Sequence, residues 1–271
     1  MFCLVVMTST LLAIGVPGFA LAADPPAVPD ARKLVERSLP FLEKEAVAWV
    51  AEKKCVTCHH VPMMLWTHYE AKRRGFAVNE NAAKELQGQA LTQYLGHAEL
   101  MPTAQDASFL EKPLGPGTVY LSLAIKAHPS PGGEVQKALH RLTANFVKHQ
   151  NEDGSWTTKL NQPPMIDGHD VTTMLILLAM STGPEGERRD VWERALTWLK
   201  SEPMREETQA MALRLLIAIR CGNRQEVQRL ASLLRFKQRE DGGWGQTPDL
   251  RSDALATGQA LYALSAARTS A

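Results

Sequence analysis

Two cysteines and a histidine, Cys55, Cys58 and His59, form the pattern with the most direct chemical use. Thiols three residues apart can form thioether bonds to both vinyl groups of a haem, and the next imidazole is then placed to bind the iron. We therefore predict a covalent c-type haem on Cys55 and Cys58, with His59 as an iron ligand.

Three other chemistries compete for the same residues. A Cys55–Cys58 disulfide would leave the adjacent His59 and His60 without a role. A tetrahedral zinc site needs four ligands, so Cys221 and His60 would have to approach from a distance. A thioredoxin-like redox pair requires a βαβ setting, which the sequence does not indicate. Haem attachment is favoured over the disulfide, and the disulfide over zinc.

A second axial ligand is predicted at Met101, which precedes Pro102 in a break between helices. The CxxCH motif resembles the haem-attachment site of c-type cytochromes, and the Met101-Pro102 pair resembles their second-ligand segment. The rival ligands are Met63, Met64, His60, His68 and His97. For each rival the alternative is packing in the core or at the surface, and for Met63 and Met64 that interpretation is favoured. Without any such ligand, the iron would be five-coordinate and open to small molecules.

The N-terminal segment predicts export. Residues 1–22 contain no charged side chain, and an apolar run ends in the small-residue sequence Ala20-Leu21-Ala22. This pattern is typical of a signal peptide that is cleaved before Ala23. An uncleaved anchor is the alternative, but Pro17 and Gly18 interrupt a stretch that would need about 20 continuous apolar residues. The predicted location is therefore periplasmic or secreted.

The composition is that of an ordinary globular chain. The 271 residues are 45% hydrophobic and 22% charged. The net charge of +1 is too small to attract nucleic acid or a membrane surface. No later segment is long enough to span a membrane. After signal cleavage the cysteines are Cys55, Cys58 and Cys221. An odd number in an oxidising compartment argues against a disulfide framework.

Helical spacing of apolar residues runs through almost the whole chain, and no window alternates for long enough to predict a strand. We therefore predict an all-α protein. The predicted helices are Ala31–Lys53, Pro62–Arg74, Asn81–His97, Thr118–His128, Gly133–Gln150, Val171–Met180, Arg189–Lys200, Glu206–Arg220, Gln225–Arg239 and Asp253–Arg268.

One short pattern, Gln-x-x-Asp-Gly-x-Trp, occurs twice after predicted helices, at Gln150 to Trp156 and at Gln238 to Trp244. A Gly directly after Asp allows a sharp turn, and the Asp can bond amides of that turn. The Trp is expected to cover a helix end, where the Gln amide can bond exposed backbone groups. Each copy is followed by an acid predicted to cap the next helix and by a shared Thr: Asp170 and Thr173, then Asp253 and Thr257.

These repeats resemble the QW-type repeats of squalene-hopene cyclases and prenyltransferase-like toroids, over roughly Pro116 to Arg268. The resemblance implies an α/α-toroid of paired helices around a central cavity, here with a small or incomplete ring. It does not imply cyclase activity, because the Asp-x-Asp-Asp acid cluster is missing, as are the aspartate-rich terpene synthase motif and the zinc triad of protein prenyltransferases. The predicted divisions are a signal peptide at 1–22, a helical haem-binding segment at 23–112 and toroid repeats at 113–271.

Two main classes of function remain. One is an electron-transfer or haem-sensing protein, in which the toroid is a scaffold or docks a redox partner. The other is an enzyme that uses the toroid cavity on a hydrophobic or carbohydrate-like substrate, or uses the haem as its catalyst. A structural interaction module is a third. The cluster Asp167-Gly168-His169-Asp170 could serve acid-base chemistry, but a capping Asp170 and a surface His169 are favoured. Electron transfer is favoured because catalysis requires convergent acids that the sequence lacks.

Overall fold

All regular secondary structure in the described residues is helical, which confirms the all-α class. The computed structural model describes residues 30–56, 59–96, 114–158, 168–180, 183, 185–186 and 188–269. Every predicted helix is present within these ranges, and the ends differ from the prediction by about three residues at most. The helices are α1 (Ala31–Lys53), α2 (His60–Arg73), α3 (Glu80–Leu95), α4 (Pro116–Lys126), α5 (Gly133–Lys148), α6 (His169–Ala179), α7 (Arg189–Ser201), α8 (Thr208–Arg220), α9 (Arg224–Phe236) and α10 (Ala254–Thr269).

Two kinds of helix alternate along the chain. Helices α4, α6 and α8 are buried on nearly every side, whereas α5, α7 and α9 bury one face only. A helix that is apolar all round needs neighbours on all sides. Helices α4, α6 and α8 each pack between two others, because contacts run in series from α2 to α4, α6, α8 and α10. We call these five the central helices. No helix in the described residues is both long and apolar enough to cross a membrane.

Side-chain contacts show that like ends of the central helices lie together. At the end of α4, the Lys126 ammonium donates 2.6 Å hydrogen bonds to the carbonyl oxygens of Leu178 and Met180 at the end of α6. At the opposite end, Arg205, just before α8, donates to Asp170 in the first turn of α6 at 3.3 Å. Helices α4, α6 and α8 are therefore parallel.

The remaining central helices follow the same direction. The first residue of α8, Thr208, bonds the carbonyl oxygens of Gly245 and Gln246, which lie shortly before α10. Late in α2, the Tyr69 ring lies 4.6 Å from the ring of His128, which follows α4. The first turns of the central helices consequently lie at one end of the bundle.

The first Asp-Gly turn is held by its own side chains. The Gln150 amide donates to the Gly154 carbonyl oxygen at 2.9 Å, and one Asp153 carboxylate oxygen accepts from the Ser155 backbone at 2.9 Å. Gly154 has φ +93, and an added Cβ would lie 2.6 Å from the backbone of α7. The second turn repeats both hydrogen bonds, at 2.8 and 2.9 Å, with Gln238, Gly242, Asp241 and Gly243.

The tryptophan of each turn joins the preceding helix to the following one. The Trp156 indole donates to the Phe146 carbonyl oxygen at 2.7 Å, and the Trp156 backbone N–H donates to the Thr173 hydroxyl at 3.0 Å. The equivalent bonds in the second turn, at 2.8 and 3.0 Å, join Trp244 to Leu234 and Thr257. The predicted roles of the Asp, Gly and Trp positions are therefore confirmed in both copies, whereas the Gln amide bonds the carbonyl of the turn instead of the end of the preceding helix.

The two predicted helix caps differ. Asp253 caps α10, because its carboxylate accepts from the backbones of Leu255 and Ala256 at 2.9 and 3.0 Å. The cap predicted at Asp170 is wrong, because α6 begins at His169 and Asp170 is already inside its first turn. Its carboxylate accepts from Arg205 instead of from the helix backbone.

We expect Trp156→Ala and Trp244→Ala each to lower the free energy of unfolding by about 3–5 kcal/mol. Both rings are buried, at 0% and 2% exposure, and each loses its indole hydrogen bond as well. Phe236→Ala is the control, because that ring is 83% exposed and its removal should change little. Chemical denaturation measures all three variants. If both Trp variants had the same unfolding midpoint as the wild type, the proposed structural role of the two tryptophans would be wrong.

Candidate functional site

The CxxCH motif lies at the junction of α1 and α2. Lys54, the C-cap residue after α1, adopts the left-handed conformation (φ 52, ψ 34) and donates its N–H to the Val50 carbonyl oxygen. His59 is the N-cap residue of α2, and its carbonyl oxygen accepts from the Met63 N–H at 2.8 Å. Cys55 and His59 are therefore positioned by two consecutive helix ends. Cys58 lies outside the described residues.

A glutamine of α3 fixes the peptide between these helix ends. The Gln93 side-chain oxygen accepts from the Val56 N–H at 2.9 Å, and its amide nitrogen lies 3.5 Å from the Cys55 sulfur. Val56 is buried, whereas the Cys55 side chain stays partly exposed. Sequence reasoning missed Gln93, which is distant from the motif along the chain.

Three aromatic rings extend from the motif into α1. The His59 and His60 rings are 4.5 Å apart, and the His60 ring stacks on Trp49 at 4.1 Å and 18°. Burial lowers the pKa of His59, and its neighbour His60 lowers it further. Neutral imidazole is the form that binds metal ions. His59 is thus kept in the state that an iron ligand requires.

Two polar atoms beside the motif are shielded from solvent without a partner. Neither the Trp49 indole nitrogen nor His60 Nδ1 makes a hydrogen bond in the described part of the chain. A buried polar atom without a partner costs about 1–3 kcal/mol, so such atoms often border a site that another group completes. The partly exposed Cys55 thiol, the His59 imidazole with its lowered pKa and these nitrogens are the described groups that a covalent haem at this motif could contact.

The rival ligands have other surroundings. His68 is buried in α2, roughly 13 Å along the helix axis from His59, and its Nδ1 bonds the Met64 carbonyl oxygen at 3.0 Å. Met64 itself packs in the core. Met64 therefore has the packing role that the sequence favours, and His68 is buried against its own helix. Met101 and His97 lie outside the described residues, so Met101 stays a prediction.

A zinc site would require Cys221 and His60 to lie together, but the structure places them far apart. Cys221 follows the last turn of α8, whereas His60 begins α2, and these positions lie at opposite ends of the parallel central helices. Burial also raises the pKa of the Cys221 thiol. Across the described ranges, no group of three or more His, Cys, Asp or Glu side chains is placed to hold a metal ion.

The predicted polar cluster before α6 forms an ion-pair network. His169 is exposed as predicted, whereas Asp170 is buried and pairs with Arg205 at 3.3 Å. Arg205 also pairs with Glu207 at 2.8 Å and lowers the pKa of that carboxyl group. The network joins the first turns of α6 and α8, which is a structural role. Asp167 lies outside the described residues.

No protein family, curated protein or solved structure matches the chain. The interpretation of this site therefore depends on the residues of the α1–α2 junction and their geometry.

We expect His68 to make folding stability depend on pH. Burial lowers the pKa of His68 below its ordinary 6.5, against the opposing effects of the Met64 carbonyl and Glu43. The unfolded chain therefore binds the proton more readily, and stability falls as pH drops below about 6.5. His68→Gln should make the fall shallower in denaturation curves between about pH 7 and pH 5. His140→Gln, at an exposed position, is the matched control. Equal pH profiles for the wild type and His68→Gln would contradict this assignment.

Proposed function

We propose that this chain is an exported c-type haem protein that transfers electrons or senses small ligands. Cys55 and Cys58 would hold the haem, with His59 and Met101 as iron ligands. The observation that carries the proposal is the junction itself, where His59, whose pKa is lowered by burial, lies beside nitrogens of His60 and Trp49 that make no hydrogen bond within the described residues. When bound, a haem supplies one-electron redox chemistry or a site for small iron ligands.

The protein's own residues have defined tasks in this proposal. Gln93 holds the Cys55–Val56 peptide against α3 and so limits the positions that the thiol can reach. The start of α2 fixes the backbone of His59, its N-cap residue, and partial burial lowers the pKa of the His59 imidazole, which favours the neutral form. Cys55 and His59 both remain partly exposed, which supports access for an attachment system and for a redox partner protein.

We also propose that the central helices form a small α/α-toroid that acts as a scaffold. Their ordered contacts, with α5, α7 and α9 packed outside them, support this arrangement. The first and last central helices also meet, because Trp66 of α2 and Tyr262 of α10 make an edge-to-face contact at 5.6 Å. The proposal does not extend to terpene cyclisation, since the acid motif for that reaction is missing from the sequence.

The proposed location follows from the chemistry of attachment. Haem is joined to CxxCH thiols on the far side of the cytoplasmic membrane, so this proposal requires a periplasmic or secreted protein. The absence of a strong net charge gives no support for nucleic acid as a partner.

We expect the protein to carry covalent haem when it is produced in a host with cytochrome c maturation. Its band on a denaturing gel should then stain for haem peroxidase activity, because thioether bonds survive denaturation. The double variant Cys55→Ala and Cys58→Ala should lose the stain. Cys221→Ala should keep it, since Cys221 lies at the other end of the bundle. A colourless wild-type protein from a competent host would refute the proposed function.

We expect Met101 to be the sixth iron ligand. A thioether ligand raises the reduction potential relative to a second imidazole and gives oxidised haem a weak near-infrared band. Met101→Ala should lose this band and bind carbon monoxide more readily. Met63→Leu is the control and should keep the band. Bis-imidazole spectra that Met101→Ala leaves unchanged would instead point to His97 or His68.

A further inference from the structure

A cavity of about 470 Å³ lies between the central helices. Its volume is within the usual range for small-molecule sites. Each central helix contributes to the wall, through Met63 and Trp66 of α2, Tyr120 of α4, Leu175 of α6, Leu213 of α8 and Gly258 of α10. The surface of this wall is mainly apolar.

Small residues on two helices keep this space open. Ala212 of α8 and Ala254 and Gly258 of α10 face it, where larger side chains would fill it. A Cβ added to Gly258 would have no heavy atom within 4 Å. Ala254, Gly258 and Tyr262 are exposed, so the cavity opens to solvent and its apolar wall is accessible to a ligand.

The charges at the cavity balance. Among the described residues that line it, the charged ones are Glu70 and Arg74, and these two form an ion pair with each other. A charged ligand would therefore lose its hydration without gaining a free counter-ion. The wall consequently favours an uncharged ligand.

The polar and aromatic side chains of the wall indicate which chemical groups the ligand carries. Gln209 and Gln259 line the cavity, and a side-chain amide can donate to a carbonyl or hydroxyl oxygen and accept from a hydroxyl group. The rings of Trp66, Tyr120 and Tyr262 offer flat apolar surfaces to another ring. An apolar cavity with a few polar groups is the usual form of a small-molecule site.

We propose that this cavity binds an uncharged, ring-containing small molecule that carries a carbonyl or hydroxyl oxygen. The site goes beyond the proposed haem function, because none of its lining residues belongs to the CxxCH motif.

The first test compares two probes that share one ring system and differ in charge. These are 2-acetylnaphthalene, an uncharged ketone, and 2-naphthoate, its carboxylate counterpart. Titration calorimetry on the full haem-loaded protein should show saturable binding of the ketone. The carboxylate should bind about tenfold more weakly or worse, because Arg74, the cation among the described lining residues, is already paired with Glu70. Equal binding of both probes would overturn the assignment of an uncharged ligand.

The second test fills the cavity. Gly258→Leu places a side chain in the open space and should weaken ketone binding by about tenfold or more. The control is Gly88→Leu, since Gly88 is also an exposed helical glycine with nothing within 4 Å of an added Cβ. Leucine favours helix more than glycine at either position, so both variants should fold. No ketone binding by the wild type, or unchanged binding by Gly258→Leu, would overturn the proposal. A haem stain of the same samples tests the proposed function separately.

Discussion

The arrangement of the helices depends on how the chain turns back from a helix with one buried face to a central helix, from α5 to α6 and from α9 to α10. In each Asp-Gly turn, the tryptophan indole bonds the helix before it and the tryptophan backbone bonds a threonine of the helix after it. Because the turn is the same both times, each following helix starts from the same end of the bundle. The helices α4, α6 and α8, which are apolar on nearly every side, can then bury one another in parallel.

The position of the α1–α2 junction is set by the parallel central helices. It places Cys55 and His59 at the end where the central helices begin, and α3 reaches it through Gln93. Stacking of His60 on Trp49 excludes water from two nitrogens that make no hydrogen bond in the described residues. Asp170 Oδ2 is also buried without a hydrogen-bond partner in the described residues, so the thiol and imidazole of the CxxCH motif, and not the buried nitrogens alone, make this junction the favoured site.

Much of the fold could be predicted because its signals are local. Apolar spacing together with Gly and Pro breaks indicated each helix, and the repeated Asp-Gly turns indicated where Trp156 and Trp244 would pack. The Asp170 cap failed because α6 begins at His169, two residues earlier than the apolar pattern suggests, with Gly168 (φ +101) as its N-cap residue. Gln93 and Trp49 could not be assigned to the site, since their contacts join distant parts of the chain. The cavity was equally hidden, because it depends on small residues such as Gly258 facing the same space.

Helix α2 belongs to both the junction and the cavity, since His59 caps its start while Met63 and Trp66 line the cavity one to two turns later. One rigid element therefore touches both proposed ligands. If a molecule in the cavity bound the oxidised and reduced proteins with different affinities, its presence would have to change the reduction potential by the same free energy. Such a protein would report the concentration of a neutral metabolite as an electrical signal.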